Sequence, residues 1–341
     1  MVAELFAAAR LEFRVVPEAG RWGRPMSSLA PSMRLLSSSV AAVAAALPAH
    51  AEEYSWQLAG VASRAETRNL VRDGWAVDST YYANPLDDGD GPFALASFLN
   101  PTTRVSAEAS KSDLKTDRGF DIQDDPTAYR LSGAYVLPGQ KWYVGASYAR
   151  SDAGDTGFFT RTDSKDYGVE GGVYIGVNTT LELGLDRFQQ GWKTDPSCPP
   201  TECIGFGFPL DTEMTTDSVG FEVFHLRRFR SLTYSLQGSV YKSEYESEVR
   251  DPLTSSTLQL GGGAALRTYS VAGELFPTKA FGVRLGYTQA ESRGYDGHSY
   301  DVVGTWFFKP RFAIQLGLSH ERLELGPDET ESAAIRFIGR L

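Results

Sequence analysis

The sequence has no long hydrophobic run: none of its 341 residues belongs to a stretch of about 20 apolar residues that could span a bilayer as a helix. Cysteine and methionine are scarce, at 2 and 4 residues. The net charge is -10 and no basic stripe offsets it, which disfavours nucleic acid as a partner. Histidine is also scarce, and none pairs with a nucleophile at a recognisable spacing. We therefore expect no enzyme, no cofactor and no metal site.

Tyrosine, phenylalanine and glycine are abundant instead, and from residue 54 onward the chain is a series of alternating segments. The terminal stretch TESAAIRFIGRL, residues 330–341, places every second residue from Ala333 to Leu341 on one apolar face, as in a half-buried strand. The chain ends inside this strand, so its backbone needs a partner edge. An antiparallel barrel that closes on its first strand supplies one. We therefore predict antiparallel pairing of residues 54–64 with residues 331–341.

The segments are separated by connections of two unequal kinds. Short ones with Gly, Pro or Asn lie at 137–140, 176–178, 227–230, 277–279 and 309–310. Long polar ones lie at 151–164, 190–212, 248–261, 292–297 and 326–328. Their segregation predicts an all-β fold: a transmembrane antiparallel up-and-down β-barrel of about 14 strands (about 12–16), with short periplasmic turns and long extracellular loops. The connection 84–101 is either a structured turn with a helical piece at 93–99 or an extension of the second strand.

A targeting signal precedes the barrel. Met33-Arg34 is followed by a small and apolar run to Leu47, and then by Ala49-His50-Ala51, an A-x-A cleavage pattern. We predict a signal peptide over residues 33–51, with a start at Met26 as the longer alternative, and a barrel over residues 52–341. Residues 1–32 are either an extension from a misplaced start or part of a longer targeting sequence.

The alternation separates two faces of the predicted wall. The predicted lipid-facing positions are Trp142, Val144, Ala146, Tyr148, Leu181, Leu183, Leu185, Leu232, Tyr234, Leu236, Phe312, Ile314, Leu316 and Leu318. Aromatic residues next to the short turns predict an interfacial girdle, made of Tyr54, Trp56, Trp142, Phe276, Phe281, Trp306, Phe308, Phe312 and Phe337. A girdle explains why so many aromatic residues lie beside tight turns, which the core of a soluble β domain would not.

Charged residues on the opposite face predict a wet interior, because charges spaced by two are hard to place in a dry core. The predicted pore-lining residues are Asp78, Arg104, Glu108, Arg130, Glu170, Glu182, Asp186, Glu222, Glu274, Arg284, Asp301 and Arg336. A barrel of this size is too wide for side chains alone to fill. The alternative is an interior plugged by paired charges or by the loop 190–212. The excess of acids over bases predicts weak cation preference.

Two loop features predict local structure. Cys198 and Cys203, in CPPTEC, are expected to form a disulfide that stiffens the longest loop. Asp87-Asp88-Gly89-Asp90-Gly91 looks like a calcium loop but lacks the later ligands, so an acidic turn is the preferred interpretation.

Several segments together resemble the putative porins of Gram-negative bacteria. They are the opening strand YSWQLAG, the stretch DSTYYANPLDDGDGPFALASFLNPTTRVSAEAS and the terminal AIRFIGRL, in which Leu341 replaces the usual final Phe. The resemblance implies an outer-membrane channel. We expect passive diffusion of small hydrophilic solutes; the alternative is a structural or surface-binding barrel without an open pore. Expected partners are outer-membrane lipid and lipopolysaccharide, and the barrel-assembly machinery through the terminal strand. A homotrimer stays open, since no flat apolar wall identifies one.

Overall fold

The computed structural model describes residues 53–67, 70–87, 91–116, 126–153, 161–176, 178–193, 211–230, 232–250, 257–292, 295–323 and 329–341. Within them, fourteen antiparallel strands form one closed barrel in sequence order. The strands are β1 (Glu53–Glu66), β2 (Leu70–Asp87), β3 (Arg104–Thr116), β4 (Thr127–Val136), β5 (Trp142–Ala153), β6 (Arg161–Ile175), β7 (Thr179–Lys193), β8 (Asp211–Phe229), β9 (Leu232–Arg250), β10 (Thr257–Thr278), β11 (Phe281–Ser292), β12 (Tyr295–Lys309), β13 (Phe312–Leu323) and β14 (Glu329–Arg340). No helix in this part of the chain is long and apolar enough to cross a bilayer. The predicted fold class is confirmed.

The first and last strands close the barrel. Their register runs from Gln57 opposite Arg340 to Glu66 opposite Glu331. Leu341 extends the ladder by one step: its N–H donates to the Trp56 carbonyl at 2.8 Å, and its carbonyl accepts from the Trp56 N–H at 3.0 Å. The predicted pairing is therefore confirmed, and the terminal strand has no unpaired edge.

The strands run further at the loop end than the alternation predicts. β5 continues to Ala153, and β9 and β10 pair into the range 248–261, which the sequence assigned to a loop. The physical reason is that the hydrogen-bonded ladder continues above the lipid, where both faces meet water and the apolar signal disappears. At the opposite end the described connections 279–280 and 310–311 are tight, whereas β2 and β3 are joined by a longer connection.

The outward face carries an apolar belt with aromatic residues at both edges. The predicted lipid-facing positions share this face: Trp142, Val144, Leu183, Leu185, Leu236 and Leu316 are all more than half exposed. On β2, Trp75 and Tyr81 mark the two edges, and aromatic pairs with the same spacing of six residues occur on β4, β5, β11 and β12. Six residues of strand span about 20 Å, which suits the apolar height of a barrel once the rings are included. The girdle at the loop end was not predicted.

Two of the predicted girdle residues face the interior instead. Tyr54 and Phe276 are each 2% exposed and belong to hydrophobic clusters inside the barrel. A bulge between Tyr54 and Trp56 turns Tyr54 inward, while Trp56 stays on the lipid face. The prediction was wrong for these two residues because apolar side chains near the short turns also pack against a segment that lies within the barrel mouth.

Candidate functional site in the barrel interior

The strand register places all twelve predicted interior residues on the inward face. Residues that oppose one another across a ladder share a face, and these positions oppose each other or other inward residues on β2 to β14. Their neighbours in sequence carry the exposed apolar belt. The structure thus brings these charges together around one interior; their role in conduction stays a prediction.

One group of charges lines a cavity on the wall formed by β14 and β1 to β4. Arg336 on β14 donates to Asp78 on β2 at 2.8 Å across the intervening β1. Glu108 on β3 lies directly opposite Arg130 on β4, and Arg130 also bonds Asp166 at 3.2 Å. The cavity beside them has a volume of about 390 Å³ and is lined mainly by small and hydroxyl side chains. This sector is polar, and its charges largely compensate one another.

A second, partly compensated group lies on β10 to β12. Glu274 is directly opposite Arg284, and Arg284 approaches Asp301 to 3.8 Å. Asp301 is only 6% exposed, so its ion pair is desolvated more than those at the rim. One guanidinium lies between two carboxylates, so the charges of this group are only partly compensated.

The third group consists mainly of acids. Glu170, Glu182, Asp186 and Glu222 lie on three adjacent strands, β6 to β8. Glu182 is directly opposite Glu222, which places their Cβ atoms about 5 Å apart. Arg104 interacts electrostatically with Glu170 from β3. This patch gives the interior a negative side.

Neutral donors hold two carboxylates of this acidic patch. The Tyr143 hydroxyl donates to Glu182, and the Gln237 amide donates to Glu222 at 2.9 Å. Tyr143 can lie flat on the wall because its partner position is Gly172: a Cβ there would overlap the tyrosine ring. A glycine in a strand often marks such a close approach. Sequence alternation identified the carboxylates but not the groups that orient them.

The mouth at the short-turn end is crossed by residues 91–100, called here the mouth segment. It contains a 3₁₀ turn (Phe93–Leu95) followed by a short helix α1 (Ala96–Leu99). Of the two alternatives for 93–99, the helical one is confirmed. The segment has apolar side chains on nearly all sides, which suits a peptide surrounded by the barrel wall.

Contacts of the mouth segment reach opposite sectors of the barrel. On one side, Phe93 packs with Phe307 of β12 in a cluster that includes Ala59, Ala313 and Ile338 of β1, β13 and β14. On the other side, Phe98 packs against Phe224 of β8 with ring centroids 4.3 Å apart and ring planes tilted by 54°. Leu95 packs there with Leu226 and Phe276. Since β1 and β8 lie half a turn apart in the closed order, the segment spans the mouth.

Arg340 holds the mouth segment to the closing strand. Its side chain is 3% exposed and donates to the Phe93 carbonyl at 2.6 Å. Its guanidinium also lies 4.6 Å from the ring centroids of both Tyr54 and Phe307. In the turn between β10 and β11, the Lys279 carbonyl accepts a hydrogen bond from the Phe93 N–H at 3.0 Å. The segment is therefore fixed by directional bonds as well as by apolar packing.

The described residues include the polar interior sectors and the mouth segment, which lies in the connection between β2 and β3. Cys198 and Cys203, residues 194–210 of the predicted loop 190–212, and residues 88–90 lie outside the described ranges, while 190–193 and 211–212 belong to β7 and β8. A plug made of the β2–β3 connection was not predicted, although the run FALASFL inside an otherwise polar connection was a signal for it.

Comparisons with known proteins agree with the fold. A family model described as "Putative general bacterial porin" matches residues 31–194, which end just after β7. The resemblance predicted from the sequence is confirmed over that range. A comparison with curated protein sequences gave no significant match.

Two solved structures share the architecture. The outer membrane protein Omp33 of Acinetobacter baumannii aligns with a TM-score of 0.52 and 16% identity, covering 86% of this chain and 100% of its own. The monoaromatic hydrocarbon channel CymD aligns with a TM-score of 0.52 and 10% identity, covering 85% of this chain and 89% of its own. At these identities the likeness shows the fold alone. The closed barrel and the family match together indicate an outer-membrane protein.

Proposed function

We propose that this chain, whose residues 31–194 match a porin family, forms a water-filled path for passive diffusion of small hydrophilic solutes across the outer membrane. The observation that carries the proposal is the charged inward face, on which the twelve interior residues lie around a barrel too wide for side chains to fill. Charges on such a face favour a hydrated interior over a dry core.

The mouth segment sets the condition for conduction. Its contacts with β1, β8 and β12 lie across the direct path to the periplasm, so solutes pass beside it or after it is displaced. Displacement breaks apolar contacts and the Arg340 bond but leaves the strand ladders intact. The proposed channel therefore has a closed or narrowed state and a more conductive state.

We further propose a weak cation preference. The interior has two sectors in which bases offset acids at least in part and one mainly acidic sector, on β6 to β8. A surface of one sign raises the local concentration of counter-ions. Glu182 and Glu222 are the best probes because they oppose each other directly.

The second candidate function is a structural or surface-binding barrel without an open pore. It is favoured by the packing of the mouth segment, which is anchored on opposite walls. The two candidates differ in one measurable property, which is ionic current through the folded barrel.

Single-channel recording in planar bilayers tests the proposal. The wild type is compared with a variant in which residues 92–99 are replaced by a glycine-serine linker of the same length. We expect discrete ohmic steps, larger or more frequent in the linker variant. Two folded proteins that both stay silent would contradict the channel and favour the structural barrel. Folding is checked by heat-dependent mobility in gels.

Selectivity is tested separately with Glu182→Gln/Glu222→Gln. The matched control is Glu274→Gln, which removes an acid that lies directly opposite a base, Arg284. In a salt gradient we expect a cation-favouring reversal potential in the wild type that moves towards zero in the double variant and moves less in the control. A wild-type potential of the anion-favouring sign contradicts the preference.

The export route is proposed on the same basis. A signal peptide ending at Ala51 would give a mature chain that starts at Glu52, directly before β1 (Glu53–Glu66). Mass spectrometry of protein isolated from outer membranes measures this: a mature mass that retains residues 33–51 contradicts it. Delivery to the assembly machinery by the terminal strand is proposed as well, as is a homotrimer.

A further inference from the structure

The outward face above the apolar belt has a cationic sector. The first outward position beyond the belt at the loop end carries Arg150, Lys165, Arg187, Lys242 and Arg267 on β5, β6, β7, β9 and β10. Asp217 occupies this position on β8. These five bases are called here the cationic arc. On the other strands, the same level carries mainly neutral or acidic side chains, with Arg64 and Lys111 as the basic exceptions.

Two pairs within the cationic arc oppose each other directly across a ladder. Arg150 lies opposite Lys165, and Lys242 lies opposite Arg267. Like charges in this relation destabilise a sheet, because their Cβ atoms are only about 5 Å apart. An anion bound between them would remove the repulsion.

Carboxylates near the arc do not fully remove this repulsion. Arg150 bonds Asp152 at 3.0 Å, Lys242 bonds Glu244, and Arg187 bonds Asp217 at 2.7 Å. Such exposed pairs contribute little and exchange readily. Among the residues that the structure describes, no ion pair with a carboxylate is found for Lys165 or Arg267.

The order of the charges along the strands, counted from the apolar belt, indicates which kind of anion fits the arc. Asp152, Asp163 and Glu244 lie one outward position farther from the belt than the bases, so the cations are next to the hydrocarbon and the acids are above them. A lipid phosphate lies at the boundary of the acyl region, whereas free phosphate has no reason to prefer that level. Opposed acids, as in Asp152 and Asp163, would repel an anion that approached from the solvent side.

An apolar groove continues below the arc. A hollow of about 370 Å³ between β6, β7 and β8 is lined by Val169 and Leu185 at the level of the belt and by Tyr167, Arg187 and Asp217 at its upper edge. Its upper edge carries the Arg187–Asp217 ion pair, and Lys165 lies one outward position above Tyr167. An apolar groove below these bases matches an acyl chain that ends in a phosphorylated headgroup.

From these observations we propose that the cationic arc is a binding site for a phosphate-bearing lipid of the outer leaflet, with the headgroup phosphate between Arg150, Lys165 and Arg187 and an acyl chain in the groove. The site lies on the lipid-facing wall and is separate from the interior. It rests on the proposed orientation, with the long loops outside, but not on conduction.

Lysine and arginine near a charged membrane surface each contribute about five-fold in affinity, so Arg150→Gln/Lys165→Gln, which removes two of the three bases around the proposed phosphate, should weaken binding about 25-fold. The control is Arg64→Gln/Lys111→Gln, which removes two bases of the same level outside the arc. Binding is measured by native mass spectrometry of detergent-solubilised barrel with bisphosphorylated lipid A, with its dephosphorylated form, and with inorganic phosphate alone.

We expect the wild type and the control to retain lipid A, the arc variant to lose it, and dephosphorylated lipid A to bind weakly. Equal binding by the arc variant, equal loss by the control, or displacement of the lipid by millimolar phosphate overturns the proposal. Heat-dependent gel mobility checks that each variant folds. Single-channel current on the same samples separates the two proposals: a silent wild type that still binds lipid A contradicts the channel only.

Discussion

Removing one aromatic contact of the mouth segment should open the channel. Phe98 is half-buried, and the centroid of its ring lies 4.3 Å from that of Phe224 and 6.3 Å from that of Tyr174. Phe98→Ala loses an aromatic pair and part of the burial of a phenyl ring, about 2 kcal/mol in total. Each 1.4 kcal/mol is about tenfold in an equilibrium constant, so the closed-to-open ratio should fall roughly 30-fold.

The assay is the open probability of single channels in planar bilayers at low voltage. Phe221→Ala is the matched control, because Phe221 is on the same strand β8 but is outward and 46% exposed. Phe224→Ala should resemble Phe98→Ala, and the double variant should add less than the sum, since both remove one contact. If Phe98→Ala and Phe221→Ala have the same open probability as the wild type, the mouth segment does not control conduction.

Three further substitutions test separate parts of the structure. Arg340→Met leaves the Phe93 carbonyl without its charged donor and should weaken the attachment of the mouth segment by about 2 kcal/mol or more. We expect lower heat stability and more frequent channel openings; if neither changes, Arg340 does not anchor the segment. Gly172→Ala should push the Tyr143 ring off the wall, seen as a changed near-ultraviolet circular dichroism signal, and an unaltered spectrum would show that the ring tolerates a methyl group there. Leu341→Phe restores the terminal residue usual in the family that the sequence resembles and should speed assembly in vivo; slower assembly would contradict that reasoning.

The alternation of apolar and polar residues predicted most of the fold. The terminal strand predicted its own partner, and the twelve interior charges and fourteen lipid-facing positions fall on the faces assigned to them, because the side-chain period of a strand is two and one face meets lipid. The strand ends were placed too early at the loop side. There the outward face carries residues such as Arg150 and Lys242, and a strand with two polar faces has no apolar period to detect.

The aromatic residues show a limit of the same pattern. Trp56, Trp142 and Trp306 are outward as expected, but Tyr54 and Phe276 belong to the interior clusters. Proximity to a short turn identifies the level of a residue in the barrel. It does not identify the face once a bulge shifts the parity or an interior segment needs apolar neighbours.

The sequence by itself determined the closed antiparallel barrel, the end at which its short turns lie, and the split of its wall into an apolar and a charged face. These follow from the alternation of apolar and polar residues, which can be detected within the roughly ten residues of a single strand. Only the tertiary structure decided that residues 91–100 lie across the mouth, that Glu182 meets Glu222, and that Arg150 meets Lys165. Each of these depends on which residue of one strand faces which residue of another, and ladder register and the path of a connection are set by contacts between distant parts of the chain.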